Sequence, residues 1–437
     1  MILLRSAIAG LASAALLPVV WSSVASAELP IEEGPNHLGV AECASAMCHG
    51  ALFTGEGDGN LRLDEYRSWL RHDPHAQAYR VLLNARSKRI ARNLGITAPE
   101  RDDLCLDCHA TNVDQSRRGE RFHLSDGVTC EACHGGAEPW IDSHAKGSSR
   151  EKNLAAGMYP TEDVVKRAEL CLSCHLGTAD QFVSHRIMAA GHPRMSFELE
   201  TFTQLQSHYE VDDDYRRRKA QPSGARTWAL GEIVAARAYL ELFQEKTQPG
   251  GWPEFGVFDC YSCHQPIRNP LLSSEVGRVE HALPRMREHS LEASLDIVRV
   301  VAPSELPEFQ DTLESLVAKV AAGDSGSLAG ASKLRDLLAL VLPKVGAWKP
   351  SLAETRALTR ALAGRYATRT PLSYSQADQA TMAIQAVSVE LLMAPRGEPV
   401  RANLGRLFDA TAEDSTFDAD AFRREMQTLR ASLEHMG

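Results

Sequence analysis

Toward the C-terminus, apolar positions recur every three or four residues. Leu306, Phe309, Leu313, Leu316, Val317 and Val320 share one helical face, and Gly323 closes that segment. Ser351-Leu-Ala-Glu354 reads as a capping box opening a second helix. Ser375-Gln-Ala-Asp378 reads as the cap of a third, with Ala380, Ile384, Val387 and Leu391 on its face. Phe422, Met426, Leu429 and Leu433 mark the last. These stripes predict a bundle of five to seven helices over residues 271–437, with packing as its evident role.

The N-terminal part has a weaker pattern. One helix is expected from Asp73-Pro74 to Leu94, with Asp73 as N-cap, Pro74 at the first position and Gly95 past the end. Tyr79, Leu82, Leu83, Ile90 and Leu94 recur along it. Thr97-Ala-Pro-Glu100 and Thr161-Glu-Asp each read as the start of a short helix. Met1–Arg5, an apolar stretch to Val20, and the small-x-small run Ala25-Ser26-Ala27 read as an export signal, residues 1–27, with Glu28 as the mature start. A retained anchor fits less well, since Pro18 and the serines at 22, 23 and 26 make a poor spanning helix. The expectation is a soluble periplasmic protein with no stable membrane insertion.

Composition narrows the field. The 437 residues are 44% hydrophobic and 24% charged, as a folded protein requires, with a net charge of −10. That balance disfavours a nucleic-acid-coating protein. The ten cysteines change the picture most. They form five pairs, each followed at once by histidine: Cys43/Cys48-His49, Cys105/Cys108-His109, Cys130/Cys133-His134, Cys171/Cys174-His175 and Cys260/Cys263-His264. C-x-x-C-H is the attachment site of c-type haem: two thiols bond the porphyrin edge and the adjacent histidine ligates the iron. Disulfides give no reason for the histidines. Zinc knuckles would leave one of five unpaired, and a thioredoxin-like motif is usually single. The first pair has four intervening residues instead of two, so its loop must bulge, and a structural disulfide is the alternative there. The fold class that follows is mainly α: a pentahaem cytochrome c domain with little regular structure over residues 28–270, then an all-α helical domain. Haem would supply the apolar interior that so short a region lacks, coupling attachment to folding.

Each iron also needs a sixth ligand. His75, His144, His185 and His192 are the favoured candidates, and His37, His72 and His123 are further ones. His75 stands in the first turn of a capped helix. His144 follows the third motif closely. His185 and His192 flank an apolar stretch. Met158, Met188 and Met195 read as core.

Gly127-Val-Thr-Cys130-Glu-Ala-Cys133-His134-Gly-Gly, with Trp140 and His144, resembles the multihaem cytochrome c-554 family. So does His185-Arg-Ile-Met-Ala-Ala-Gly-His192-Pro-Arg-Met-Ser-Phe-Glu198, and the resemblance spans about residues 36–270. It implies an exported electron carrier with covalent, mostly bis-histidine haems packed in close pairs. The favoured function is an electron relay between redox partner proteins, through five predicted haems. The alternative is a redox enzyme acting on a small nitrogen or sulfur species at a haem with an open position. No C-x-x-C-K site of the pentahaem nitrite reductase kind is present.

Overall fold

The computed structural model describes residues 29–31, 34–52, 62–205, 207–209, 223–247, 253–264, 285–394 and 397–434. The expected export signal with its Glu28 junction, the boundary at 270/271, His281 and His435 lie outside the described residues. Among the described residues the protein is mainly α, with no strand beyond two isolated bridges, His37 with Arg118 and Phe258 with Met286.

A helix that the apolar stripes did not announce organises the molecule. Gly224–Lys246 is capped by Ser223, which accepts from Arg226 N, and buries most of its length, including Trp228, Ile233, Leu240 and Phe243. It packs against Val164–His175, Leu199–Leu205, His289–Val301, Ser327–Ala347 and Tyr374–Leu392. Leu199 comes so close that a Cβ on Gly231 would meet its Cβ at 2.8 Å, so glycine is what admits this crossing.

The C-terminal helices follow the predicted stripes. Phe309, Leu313, Leu316 and Val320 are buried on Leu306–Ala321, and Phe422, Met426, Leu429 and Leu433 on Ala419–Glu434. Seven helices lie between His289 and Glu434 among the described residues. The Ser351/Glu354 capping box forms as read. The next cap differs: Ser373, not Ser375, caps Tyr374–Leu392, reciprocally with Gln376. Asp378 turns instead to accept from Ser196 Oγ at 2.5 Å. Arg365 on Asp296 at 2.7 Å and Arg369 on Glu292 at 2.6 Å tie Leu352–Thr368 to His289–Val301.

On the N-terminal side the expected Asp73–Leu94 helix is broken. Asp73 does cap, but the segment runs as a 3₁₀ turn Pro74–Gln77, a helix Ala78–Leu82 and a fresh helix Ala85–Leu94. Asn84 causes the break, because its side chain accepts from Ser87 N and restarts the helix. Gly95 ends it at φ 80°. The helix Asp103–His109 is capped by Asp102 and not by Thr97, whose expected capping box does not form; Pro99–Arg101 is a separate 3₁₀ turn. Asp163 caps Val164–His175 by accepting from Val165 N and Lys166 N.

Apolar burial on this side is sparse. Val40, Trp69 and Ala76 form one small group, Leu82, Leu106 and Ala110 a second, and Leu94, Ile187 and Ala190 a third. Met158, Met188 and Met195, expected in the core, are only half-buried. No helix among the described residues is long and apolar enough to cross a membrane.

Candidate functional site

Four of the five motifs end on a turn that closes on the first cysteine. Asp103–His109, Cys130–His134 and Val164–His175 are α-helices whose last residue is the motif histidine. In the fifth, His264 N donates to Cys260 O at 2.8 Å. The first motif reaches the same closure despite its longer spacer. His49 N donates to Cys43 O at 3.2 Å, while Cys48 N and Gly50 N both return to Ser45 O at 2.9 Å. The two extra residues are taken up as a local bulge. No two of the ten cysteines are joined in a disulfide, including Cys43 and Cys48.

Cys263 departs from the other nine. They are half-buried, as thiols beside an enclosed porphyrin edge should be, whereas Cys263 is exposed. The second, third and fourth motifs lie on α-helices, but Cys260–Ser262 is a single 3₁₀ turn, with Cys263 N donating to Cys260 O at 3.2 Å. Cys260 stays half-buried on the inner side of that turn, and Cys263 comes out on the solvent side among the described residues.

The motif histidines do not stand alone. His49 faces His144 with ring centroids 6.0 Å apart, and His109 faces His192 at 6.4 Å. His134 faces His208 at 6.4 Å, His175 faces His75 at 6.1 Å, and His264 faces His185 at 6.2 Å. A metal–imidazole bond is about 2 Å and the ring centroid lies about 1.1 Å behind the bonding nitrogen, so opposed imidazoles on one metal have centroids about 6.3 Å apart. Five independent gaps of 6.0 to 6.4 Å match that value.

The four favoured partner histidines therefore each meet a motif histidine. His37, His72 and His123 do not. His37 is fully buried edge-on to Phe122, and burial and the nearby Arg117 charge pull it down to about 4. His72 and His123 are exposed. His289, in the helical core, is also held neutral by burial, pulled down to about 3. The residue that sequence reasoning misses is His208. The available signal is arithmetic: five motif histidines need five partners, and only four stand out.

Hydrogen bonds orient the rings. Carbonyls serve the second site: His109 Nδ1 lies 3.0 Å from Ala78 O, and His192 Nδ1 lies 2.8 Å from Pro193 O. Carboxylates serve two others. His49 Nδ1 meets Glu65 Oε2 at 3.0 Å and His75 Nδ1 meets Asp73 Oδ1 at 2.9 Å. Burial works to raise both carboxyls, but the hydrogen bonds from these histidines override it and hold both below their ordinary values. At His109 and His175 burial lowers the ring, to about 4 at His175, which favours the neutral form that binds metal.

The sites are neighbours in a definite order. Cys43 lies beside Cys130, Cys108 beside Cys174, and Cys133 near Cys171. First therefore adjoins third, third adjoins fourth, and fourth adjoins second. Glu131, inside the third motif, pins the approach to the first by accepting from Leu38 N at 2.8 Å and Gly39 N at 2.7 Å. Gln181 Nε2 lies 3.1 Å from both Cys108 and Cys174 Sγ. The chain then enters His185–Ala189, where Glu254 accepts from His185 N at 2.7 Å and brings in the fifth site.

Comparison with known proteins agrees with this chemistry over part of the chain. No curated protein and no solved structure gave a match. Residues 42–135 match the family model described as cytochrome c554 and c-prime, a narrower span than the resemblance in the sequence, taking in the first three motifs and His75. Through that segment the chain is similar to cytochromes c554 and c-prime, a family of c-type cytochromes, and the likeness agrees with a haem c, electron-transfer reading of the motifs.

Proposed function

We propose that this chain is an exported multihaem cytochrome that relays electrons between redox partner proteins through five covalent, bis-histidine haems. One observation carries the reading: every motif histidine faces a second histidine at the separation of trans axial ligands. Covalent haem supplies reversible one-electron chemistry. The cysteines of the five motifs hold the porphyrin edges, and the exposed Cys263 makes the fifth edge the one most open to a docked partner. His49, His109, His134, His175 and His264 would hold each haem iron from one side, and His144, His192, His208, His75 and His185 from the other. An iron held from both sides would leave no position for a small substrate, which favours relay over catalysis. The thiol contacts give the path its order of first, third, fourth and second, with the fifth beside the second and fourth through residues 181–192. The charge of −10 suits a partner with a basic docking face, and association then slows as salt rises. The periplasm is the compartment proposed, on the strength of the N-terminal signal pattern.

Intact-protein mass and electron paramagnetic resonance test this together. Five haems, all low-spin in the oxidised protein, are expected, with His208→Ala converting one iron to high-spin while all five haems stay attached. A mass of four haems would remove a site. A high-spin iron in the unaltered protein, or rapid turnover of hydroxylamine or nitrite, would replace the relay with an enzyme.

A further inference from the structure

The axial histidines differ in what holds their outer nitrogen. At the second site both rings donate to neutral carbonyls, Ala78 O and Pro193 O. At the first site His49 donates to the Glu65 carboxylate, and at the fourth His75 donates to Asp73. Asp73 is the more enclosed of the two, with 9% of its side chain exposed against 31% for Glu65. Its Oδ1 also accepts from His75 N at 2.9 Å, so one oxygen fixes both backbone and ring. Among the described residues the ion pair of Glu65 is with His49, and that of Asp73 is with His75. Both anions also act on His208, the ligand at the third site, which lies between the first and fourth.

Two physical effects act in the same direction. An imidazole donating Nδ1–H to a carboxylate is a stronger base at its other nitrogen, which binds the more oxidised metal better. Ferric iron also carries one more positive charge than ferrous iron, so a nearby anion opposes the gain of an electron. The effect is larger where water is excluded.

Building on the bis-histidine reading above, we propose that Asp73 and Glu65 are positioning residues that lower the reduction potentials of the fourth and first haems below that of the second. The array is then a graded one. Its first and fourth sites accept an electron less readily than the carbonyl-supported second site. Electrons that enter at the first site run downhill on reaching the second.

The ring planes supply a way to follow individual sites. His49 and His144 are nearly parallel, at 8°, and His75 and His175 nearly perpendicular, at 83°. Parallel imidazoles donate into one iron d orbital and split it from its partner. Perpendicular ones donate into both and leave the two nearly equal. The ferric low-spin signals of the first and fourth sites therefore differ in shape.

The experiment is a redox titration of the full haem-loaded protein followed by electron paramagnetic resonance, with Asp73→Asn and Glu65→Gln beside the unaltered chain. Each variant keeps an acceptor for Nδ1–H and removes the charge. Asp73→Asn should raise the midpoint of one strongly anisotropic signal, by about 59 mV for each tenfold loss in preference for ferric iron. Glu65→Gln should raise the rhombic signal's midpoint by less, because Glu65 is more exposed. Retention of five haems and five low-spin irons in the variants separates tuning from misfolding. Five low-spin irons with unmoved midpoints in both variants would overturn the tuning alone. Fewer than five in the unaltered protein would overturn the ligand reading on which it stands.

Discussion

Around the first three motifs, buried apolar side chains gather in handfuls, such as Val40 with Trp69 and Ala76, or Leu82 with Leu106 and Ala110. Around the Gly224–Lys246 helix they form one continuous core running from Val164 to Leu433. The last two motifs belong to this second environment. Val164–His175 buries Val164, Ala168 and Leu172 in that core and presents Cys171, Cys174 and His175 from its last turns. Just before the fifth motif, Val257 and Phe258 are buried in the same core, and Val257 O accepts from Tyr239 Oη at 2.9 Å. The C-terminal helices are thus a platform for two of the sites, whereas the family match stops at residue 135, within the part that lacks such a core. A chain short of apolar interior must be ordered by something else, and the histidine pairs indicate what.

The strongest test of that difference exchanges the two supports. Cys130→Ala with Cys133→Ala removes the third haem from the middle of the array. Because metal or cofactor binding is folding free energy where no core exists, residues 34–52 and 62–160 should lose protection from amide exchange while Gly224–Lys246 keeps it. Trp228→Ala should do the reverse. Emptying a fully buried tryptophan site costs about 3–5 kcal/mol, and the loss should fall on the helical core with the fourth and fifth sites. A uniform loss of protection in both variants would mean a single cooperative unit.

A smaller effect belongs to the helical core alone. Burial pushes Glu232, on the central helix, up to about 7. Unfolded, it returns to its ordinary value near 4.5. Between those values the folded state binds more protons than the unfolded one, so stability is greatest below the unfolded pKa and declines as pH rises toward 7. The slope is at most about 1.4 kcal/mol per pH unit. Denaturant midpoints at pH 5 and pH 7 should converge in Glu232→Gln, apart from the contribution of Glu198, which burial also raises, to about 8. Haem spectra of the first three sites should not follow this change.

What is readable in the sequence divides along the same line. The cysteine–histidine motifs are contiguous, so their chemistry is local and visible. How far each thiol is sheltered is not: Cys263 has the same spacing as its counterparts in the second, third and fourth motifs yet is exposed. The partner histidines are tertiary as well. His144 returns to the first motif past two others, and His75 goes forward to the fourth. Residue types alone bring such residues forward as candidates without pairing them, and they pass over His208. The stripes of the C-terminal helices are legible because each has a wet face. Gly224–Lys246 is enclosed by five helices over most of its length, and its polar residues, such as Arg237, Glu241 and Glu245, gather only toward its C-terminal half, so the apolar pattern has little polar side to set against it. Asn84 shows the opposite failure. Its neighbours continue a helical rhythm, yet one side-chain hydrogen bond to Ser87 N divides the helix.

The finest distinction concerns two serines. Both Ser373 and Ser375 precede the stripe Ala380, Ile384, Val387 and Leu391, and either could open it. In the structure Ser373 is extended, at φ −84° and ψ 159°, as an N-cap must be, and accepts from Gln376 N at 3.2 Å. Gln376 Oε1 accepts from Ser373 N at 3.0 Å in return. Ser375 lies inside the first turn, where its backbone is helical and its hydroxyl has no orphan donor to serve. Ser373→Ala should therefore cost about 1 kcal/mol, and Ser375→Ala a few tenths at most. Paired denaturation curves decide it. Equal costs would return the cap to Ser375 and move the helix start with it, whereas a loss at Ser373 alone keeps the first turn where Gln376 closes it.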